Sequence, residues 1–199
     1  MQSKKNVWNN KKLIALLAKG GVAVMPTDTI YGIVGRAQNE SVVNRIYEIR
    51  KRDLHKPCII LIGDIGELDK FSVVLSEKQK KIIENYWPAF AKASAGKPVP
   101  TSIILDCENE NLSYLHRGTK TLAFRLPAQA GLRKLLKETG PLIAPSANTE
   151  KFPASENMAD AKKYFGNKVD LYMDGGLITG KASKVIKLQR DGSVSIIRE

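Results

Sequence analysis

Short apolar runs alternating with helix-period segments constrain this chain more than any other feature. Residues 22–25, 58–62, 102–105, 122–126, 142–144 and 171–173 are rich in apolar side chains and too short for helices. The unbroken run at 58–62 has the signature of a strand buried on both faces. Residues 10–19 place Leu13, Ile14, Leu16 and Leu17 on one side of a helix that Gly20-Gly21 stops. Residues 41–50 carry Val42, Val43, Ile46 and Ile49 at helical spacing, with Ser41 as the N-cap. Further helices are predicted over 76–86, where Ser76 and Gln79 fit a capping box, over 131–137, stopped by Gly140-Pro141, and over 158–165. Residues 184–188 and 193–197, joined through Asp191-Gly192, read as a terminal hairpin. Interleaved strands and helices make the class α/β, and the hairpin makes the sheet mixed rather than purely parallel.

A chain of 199 residues, 43% of them hydrophobic, fits one domain with a real core. No internal repeat marks a second one. No apolar run approaches the ~20 residues of a membrane span. Residues 1–12 are polar and basic, without the apolar stretch of a secretory signal, so a soluble cytoplasmic protein is expected. Cys58 and Cys107 match no zinc or redox spacing and read as small buried hydrophobes. His55 and His116 are isolated, which argues against a zinc or iron site. The net charge of +12, from 32 basic and 20 acidic residues, favours anionic partners: nucleotides, RNA or DNA. Solvated lysines on helix faces are the competing explanation. Residues 89–97, alanine-rich after Trp87-Pro88, read as a surface insertion reaching to about residue 99.

Two strand runs end in loops of small hydroxyl and amide side chains. Pro26-Thr27-Asp28-Thr29-Ile30-Tyr31-Gly32 follows the first, and Pro145-Ser146-Ala147-Asn148 follows the run at 142–144. Such groups bind ligands at the carboxyl edge of an open α/β sheet, or else satisfy their own turns. Arg50-Lys51-Arg52 would aim two guanidiniums the same way if extended, a fork for phosphate oxygens; the alternative is a solvated helix end. Arg125 lies inside an apolar strand run, where its charge needs a carboxylate ligand or an internal Asp or Glu. Asp174-Gly175-Gly176 reads as a tight turn. There is no G-x-x-x-x-G-K-[ST] loop, no G-x-G-x-x-G fingerprint and no visible Ser-His-Asp order. A chemistry without a nucleophilic side chain fits better, such as positioning a substrate against ATP.

Taken in order, Pro-Thr-Asp-Thr-x-Tyr-Gly, Arg50-x-Arg52, Trp87-Pro88, the strand with Arg125, Ser146-Ala147-Asn148, Asp174-Gly175-Gly176, Ser183 and the terminal Ile197-Arg198 resemble the YrdC/TsaC family of threonylcarbamoyl-AMP synthases. The resemblance runs from Val22 to Arg198. It implies an open twisted mixed α/β sheet flanked by helices, with a basic concave face. It also implies a reaction. L-threonine and bicarbonate or CO2 give N-carboxy-threonine, which attacks the α-phosphate of ATP to yield threonylcarbamoyl-AMP and pyrophosphate. A partner transferase complex then passes the group to an adenosine beside the tRNA anticodon. Mg2+ would arrive with ATP.

Carried over residue by residue, the resemblance gives Arg50 and Arg52 catalytic and phosphate-holding roles. Thr27, Tyr31, Arg125, Ala144 and Ser183 would bind L-threonine. Thr101, Thr121, Ser146, Asn148 and Arg198 would join Arg50 and Arg52 at the nucleotide. The family usually has lysine at position 50, so here a fork replaces a point charge. Its continuous Trp-Pro-Gly-Pro-x-Thr is broken by the alanine-rich stretch, leaving Thr101 in the threonine's place. The chain stops at Glu199, as expected of the short single-domain type. Three other readings stand beside the enzyme: a module that binds RNA directly, tRNA included; a paralogue making a different carbamoyl adenylate; and an enzyme disabled by the insertion.

Overall fold

The structure is a computed structural model that describes residues 4–87 and 99–199; the alanine-rich stretch lies outside them. After a 3-10 turn at Lys4–Asn9 come α1 (Lys11–Ala18), β1 (Ala23–Pro26), β2 (Tyr31–Arg36), α2 (Glu40–Arg50) and β3 (Ile59–Leu61). A 3-10 segment at Ile65–Phe71 precedes α3 (Glu77–Ile83), β4 (Thr101–Asp106), α4 (Ser113–His116), β5 (Thr121–Arg125) and α5 (Ala130–Thr139). The chain ends with β6 (Leu142–Ile143), α6 (Met158–Phe165), β7 (Leu171–Tyr172), β8 (Lys184–Leu188) and β9 (Val194–Arg198). Among the described residues nine strands join one sheet in the order β7-β1-β2-β6-β3-β5-β4-β8-β9.

The sheet is mixed well beyond the terminal hairpin. β1/β7, β3/β5 and β4/β8 pair parallel, while β1/β2, β2/β6, β3/β6, β4/β5 and β8/β9 pair antiparallel. Strand β2 is the strand that sequence reasoning missed, together with the short α4 and the 3-10 segments. The loop at Thr27–Ile30 is a tight reversal, closed by Thr27 N–H on the Ile30 carbonyl at 3.0 Å, and it turns β1 back onto β2. Gly35 in β2 is needed for packing: a Cβ there would stand 2.3 Å from Val42 Cγ1, so only glycine lets α2 lie against the strand. The N-cap of α2 is Asn39 rather than Ser41. Asn39 Oδ1 accepts from Val42 N–H at 3.2 Å, and the Ser41 hydroxyl donates to that same oxygen. The capping box at Ser76 and Gln79 is present.

Strand alternation sorts side chains onto two faces. Val24, Ile33, Ile60, Ile62, Ile103, Leu105, Phe124, Ile143 and Ile186 belong to a core that extends to Val43 and Ile46 of α2, Leu115 of α4 and Phe165 of α6. On the opposite face Ala23, Met25, Val34, Leu61, Leu142 and Ala144 pack under Leu13 and Leu17 of α1 and Leu132, Leu135 and Leu136 of α5. That second cover ends at β3. Beyond it no helix among the described residues covers the same face of β5, β4 and β8, and the candidate site lies there. Among the described residues no helix is long and apolar enough to cross a membrane.

Candidate active site

A cleft of about 680 Å3 opens over this uncovered face, within the range of small-molecule sites. Its floor is made by Ile59, Ala123 and Ile104, which are register partners across β3, β5 and β4. Thr121 and Arg125 stand two residues to either side of Ala123 and so point the same way. Thr27, Thr29, Ala144, Pro145 and Ser146 enter from the two hydroxyl-rich loops, Arg52 from the segment after α2, and Ser183, Val185, Ile197 and Arg198 from the terminal hairpin and its approach. Among the described residues the lining contains three guanidiniums and no carboxylate or histidine.

At one end sits Arg125. Its Nη2 donates to Asp28 Oδ1 at 2.8 Å, and both side chains are almost fully buried, at 4% and 3% exposure. The internal carboxylate thus supplies the counter-charge that an arginine inside a strand demands. Arg125 Nε has no partner among the described residues. Nearby, Ser102 and Ser183 share a hydroxyl–hydroxyl hydrogen bond of 2.8 Å. Arg198 donates from Nε and Nη2 to the Ser183 carbonyl, at 3.1 and 2.7 Å. Burial, then the charge of Arg125, pushes the Arg198 guanidinium below its ordinary value. Anionic ligand oxygens between these two arginines would relieve that repulsion.

The other end is built on a crossing of loops. Arg50 is the last residue of α2, and Lys51, with φ +50°, ends the helix. The triplet 50–52 is therefore not extended, and the two arginines part company. Arg50 turns inward, 2% exposed, and donates from Nε to the Asn148 carbonyl at 3.0 Å and from Nη2 to Ser146 Oγ at 3.2 Å and Asn148 Oδ1 at 3.3 Å. Burial, with the Arg52 charge adding to it, pushes the Arg50 guanidinium down to about 10. Arg52 lines the cleft, held by its Nε on the Lys56 carbonyl and Nη2 on the Pro57 carbonyl, each at 3.0 Å. Its guanidinium carbon lies 5.9 Å from the centroid of the Tyr47 ring, on which Arg117 also stacks at 4.2 Å.

Of the residues singled out from sequence, Thr27, Arg52, Thr121, Arg125, Ala144, Ser146, Ser183 and Arg198 converge on the cleft. Thr27 serves its turn as well, its hydroxyl donating to the Ile30 carbonyl at 2.7 Å. Four others stand behind the lining. Arg50 and Asn148 brace each other, with Asn148 Nδ2 spent on the Thr149 and Phe152 carbonyls. Tyr31 is fully buried: its hydroxyl accepts from Gly175 N–H at 2.7 Å and donates to the Gly176 carbonyl at 2.9 Å, anchoring the Asp174-Gly175-Gly176 turn. Thr101 gives its hydroxyl to the Val99 carbonyl and its own carbonyl to Trp87 Nε1. Sequence reasoning missed Asp28 as the partner of Arg125, and also Ser102, Thr119 and the cleft-lining position of Cys58. Asp28 was in view inside its motif, but a pairing across 97 residues leaves no local signal.

A family model named for Sua5, YciO and YrdC, and described as "Telomere recombination", matches residues 15–199. The threonylcarbamoyl-AMP synthase of Bacillus subtilis is 30% identical over 164 residues, 81% of this chain and 44% of that protein. That of Pyrococcus abyssi is 26% identical over 85% of this chain and 47% of its own length. That of Hahella chejuensis is 25% identical over 98% of this chain and 100% of its own. The chain thus spans less than half the length of the first two relatives and the whole of the third. Among solved structures, P. abyssi Sua5 complexed with L-threonine matches with a TM-score of 0.80 at 25% identity, over 98% of this chain and 54% of that one. E. coli YciO matches in fold with a TM-score of 0.78 at 22% identity, over 99% and 90%.

Proposed function

Since this chain belongs to the Sua5/YciO/YrdC family, we propose that it is a threonylcarbamoyl-AMP synthase. The observation that carries the reading is the convergence of Arg52, Arg125 and Arg198 with Thr121, Ser146 and Ser183 in one cleft, from segments far apart in sequence. The lining has no histidine to act as a base, which suits a reaction run by orientation and electrostatics. The amine of L-threonine takes up CO2, or bicarbonate with loss of water, to form the N-carboxylate. One oxygen of that carbamate attacks the α-phosphorus of ATP, and the bond to the bridging oxygen breaks to release pyrophosphate.

Arg52 and Ser146 would hold phosphate oxygens, and Thr121 and Arg198 would position the nucleotide. Thr27, Ala144 and Ser183 would contact threonine, with Arg125 on its carboxylate. Because Asp28 already balances Arg125, the second cation, Arg198, would contribute to that carboxylate too. Among the described residues no group of three or more His, Cys, Asp or Glu could hold a metal ion. Mg2+ would therefore be carried by the triphosphate, where it screens charge that the guanidiniums share. A downstream transferase must consume the product, a mixed anhydride, before water does.

Incubation of the protein with ATP, Mg2+, bicarbonate and L-threonine, followed by mass spectrometry and a pyrophosphate assay, tests the reading. Threonine-dependent threonylcarbamoyl-AMP is expected. Bound ATP without that product would favour a paralogue with another carbamoyl substrate. Absence of nucleotide binding would overturn the assignment in favour of an RNA-binding module.

A further inference from the structure

We propose that Glu150 is a positioning residue for the reaction, tying the loop that carries Arg52 to the loop that carries Ser146. The inference rests on the adenylate-forming reading of the cleft. Glu150 does not line the cleft, yet it makes three connections across the gap between residues 50–57 and 145–152. Its Oε2 accepts the backbone N–H of Asp53 at 2.5 Å. Its Oε1 meets Lys56 Nζ at 3.0 Å. Its own N–H donates to the Arg50 carbonyl at 3.0 Å. The Asp53 N–H, and then Lys56, hold the carboxyl below its ordinary value.

These connections bracket Arg52. Arg50, two positions before it, and Asp53, directly after it, are both fastened to Glu150 through their backbones. The guanidinium of Arg52 is aimed by the Lys56 carbonyl, which also accepts the Tyr47 hydroxyl at 2.9 Å. Lys56 is itself the residue whose ammonium Glu150 holds. On the far side of the tie, the Arg50 guanidinium holds Ser146 and Asn148. The Arg50 guanidinium holds the Ser146 loop from one side, and the Glu150 carboxylate holds the segment that follows Arg52 from the other, so both set the spacing between the Arg52 guanidinium and the Ser146 hydroxyl. Without the carboxylate, residues 53–56 lose their side-chain tie to the Ser146 loop, and displacements of an ångström matter to reacting groups.

The test compares Glu150→Ala and Glu150→Gln with the parent protein, alone and combined with Arg52→Ala. Steady-state kinetics are read alongside binding of a non-hydrolysable ATP analogue. Glu150→Ala is expected to raise the KM for ATP and the Kd of the analogue about tenfold, with the KM for L-threonine changed less than about twofold. Glu150→Gln keeps an acceptor for the Asp53 N–H and should recover most of the loss. In the Arg52→Ala background, Glu150→Ala should cost nothing further, because the residue acts through Arg52. A rise in KM for both substrates in step, or an undiminished extra loss in the Arg52→Ala background, would overturn the inference and mark Glu150 as merely structural. Should the parent bind the analogue without making the adenylate, the function reading falls alone, and the tie is still judged by analogue affinity. A parent that binds no nucleotide overturns both.

Discussion

The two ends of the cleft each bury an arginine, and they solve the problem in opposite ways. Arg125 is matched by a carboxylate, Asp28, in a pair that water hardly reaches. Arg50 is just as buried, but the oxygens it meets belong to an amide, a carbonyl and a hydroxyl, all neutral. Neutral acceptors satisfy donors without cancelling charge. The Arg125 pair is therefore close to balanced and leaves Arg198 as the free charge of that end, whereas Arg50 keeps its positive charge with Arg52 beside it; burial first, and then the Arg52 charge, depress the Arg50 guanidinium. A field of that sign at one end of a cleft, weakly screened by solvent, draws phosphates there. Under the proposed function the triphosphate would lie against Arg52 and Ser146, and the smaller substrate against Arg125.

The strongest way to break the comparison is to remove the counter-charge. Asp28→Ala leaves Arg125 buried and unpaired, and breaking a buried pair in this way costs about 3–5 kcal/mol. Urea denaturation should show a loss of that size; a loss under about 1 kcal/mol would mean that Arg125 finds water or another partner. Next comes Arg52→Ala. Its own bonds go to two loop carbonyls and its guanidinium only flanks Tyr47, so the midpoint of thermal unfolding should move little, while adenylate synthesis falls about 10²–10³-fold, the size seen when one preorganised donor is removed. Equal activity would place the phosphates elsewhere. Arg50→Lys is more discriminating. The charge stays but the fork is lost, so one of its contacts to Ser146 or Asn148 must go. Nucleotide affinity should fall about tenfold, with about 1–2 kcal/mol of stability. Unchanged affinity would mean that charge alone suffices at this position.

How far sequence reached follows the same division. The apolar runs at 22–25 and 142–144 were legible because burial on both faces suppresses alternation. The helix at Met158–Phe165 was read to the residue, since Asn157 caps it and Gly166 ends it. β2 was not legible: Tyr31-Gly32-Ile33-Val34-Gly35-Arg36 carries two glycines, one demanded by close packing on α2, and its first residues fall in a motif that reads as a ligand loop. The site divides likewise. Hydroxyls at strand ends could be picked out by position. Whether a side chain faces the cleft or braces it could not. Tyr31, Asn148, Arg50 and Thr101 have the chemistry of ligand groups, yet each spends it on backbone: Tyr31 and Arg50 on segments that only the fold brings near, Asn148 and Thr101 on their own loops. Glu150 gave no signal at all, because an acidic residue between Thr149 and Lys151 looks like ordinary surface.

A third arginine pair calibrates the other two. Arg45 grips Asp170 with both ends of its fork, Nη1 to Oδ2 at 2.7 Å and Nη2 to Oδ1 at 2.8 Å, a better geometry than Arg125 achieves with Asp28. It stands about a third exposed, at 38% and 33% for the two side chains. If geometry set the energy, Asp170→Asn would be the costliest of these changes. If desolvation sets it, the cost is no more than about 1 kcal/mol, since water screens the pair. The neutral amide also keeps an acceptor for Val22 N–H, which Asp170 Oδ2 now takes at 2.8 Å. The pH dependence separates charge from hydrogen bonding. The Arg45 hydrogen bond holds the Asp170 carboxyl below its ordinary 3.8. Its contribution is therefore complete above that value and is lost as pH falls through the lower folded value. Urea midpoints for the parent and Asp170→Asn should differ slightly at pH 7 and converge as pH falls through the folded value of Asp170, below 3.8. A gap that persists in acid would assign the stabilisation to the shape of the contact rather than to its charge, and the contrast drawn between Arg50 and Arg125 would then need the same revision.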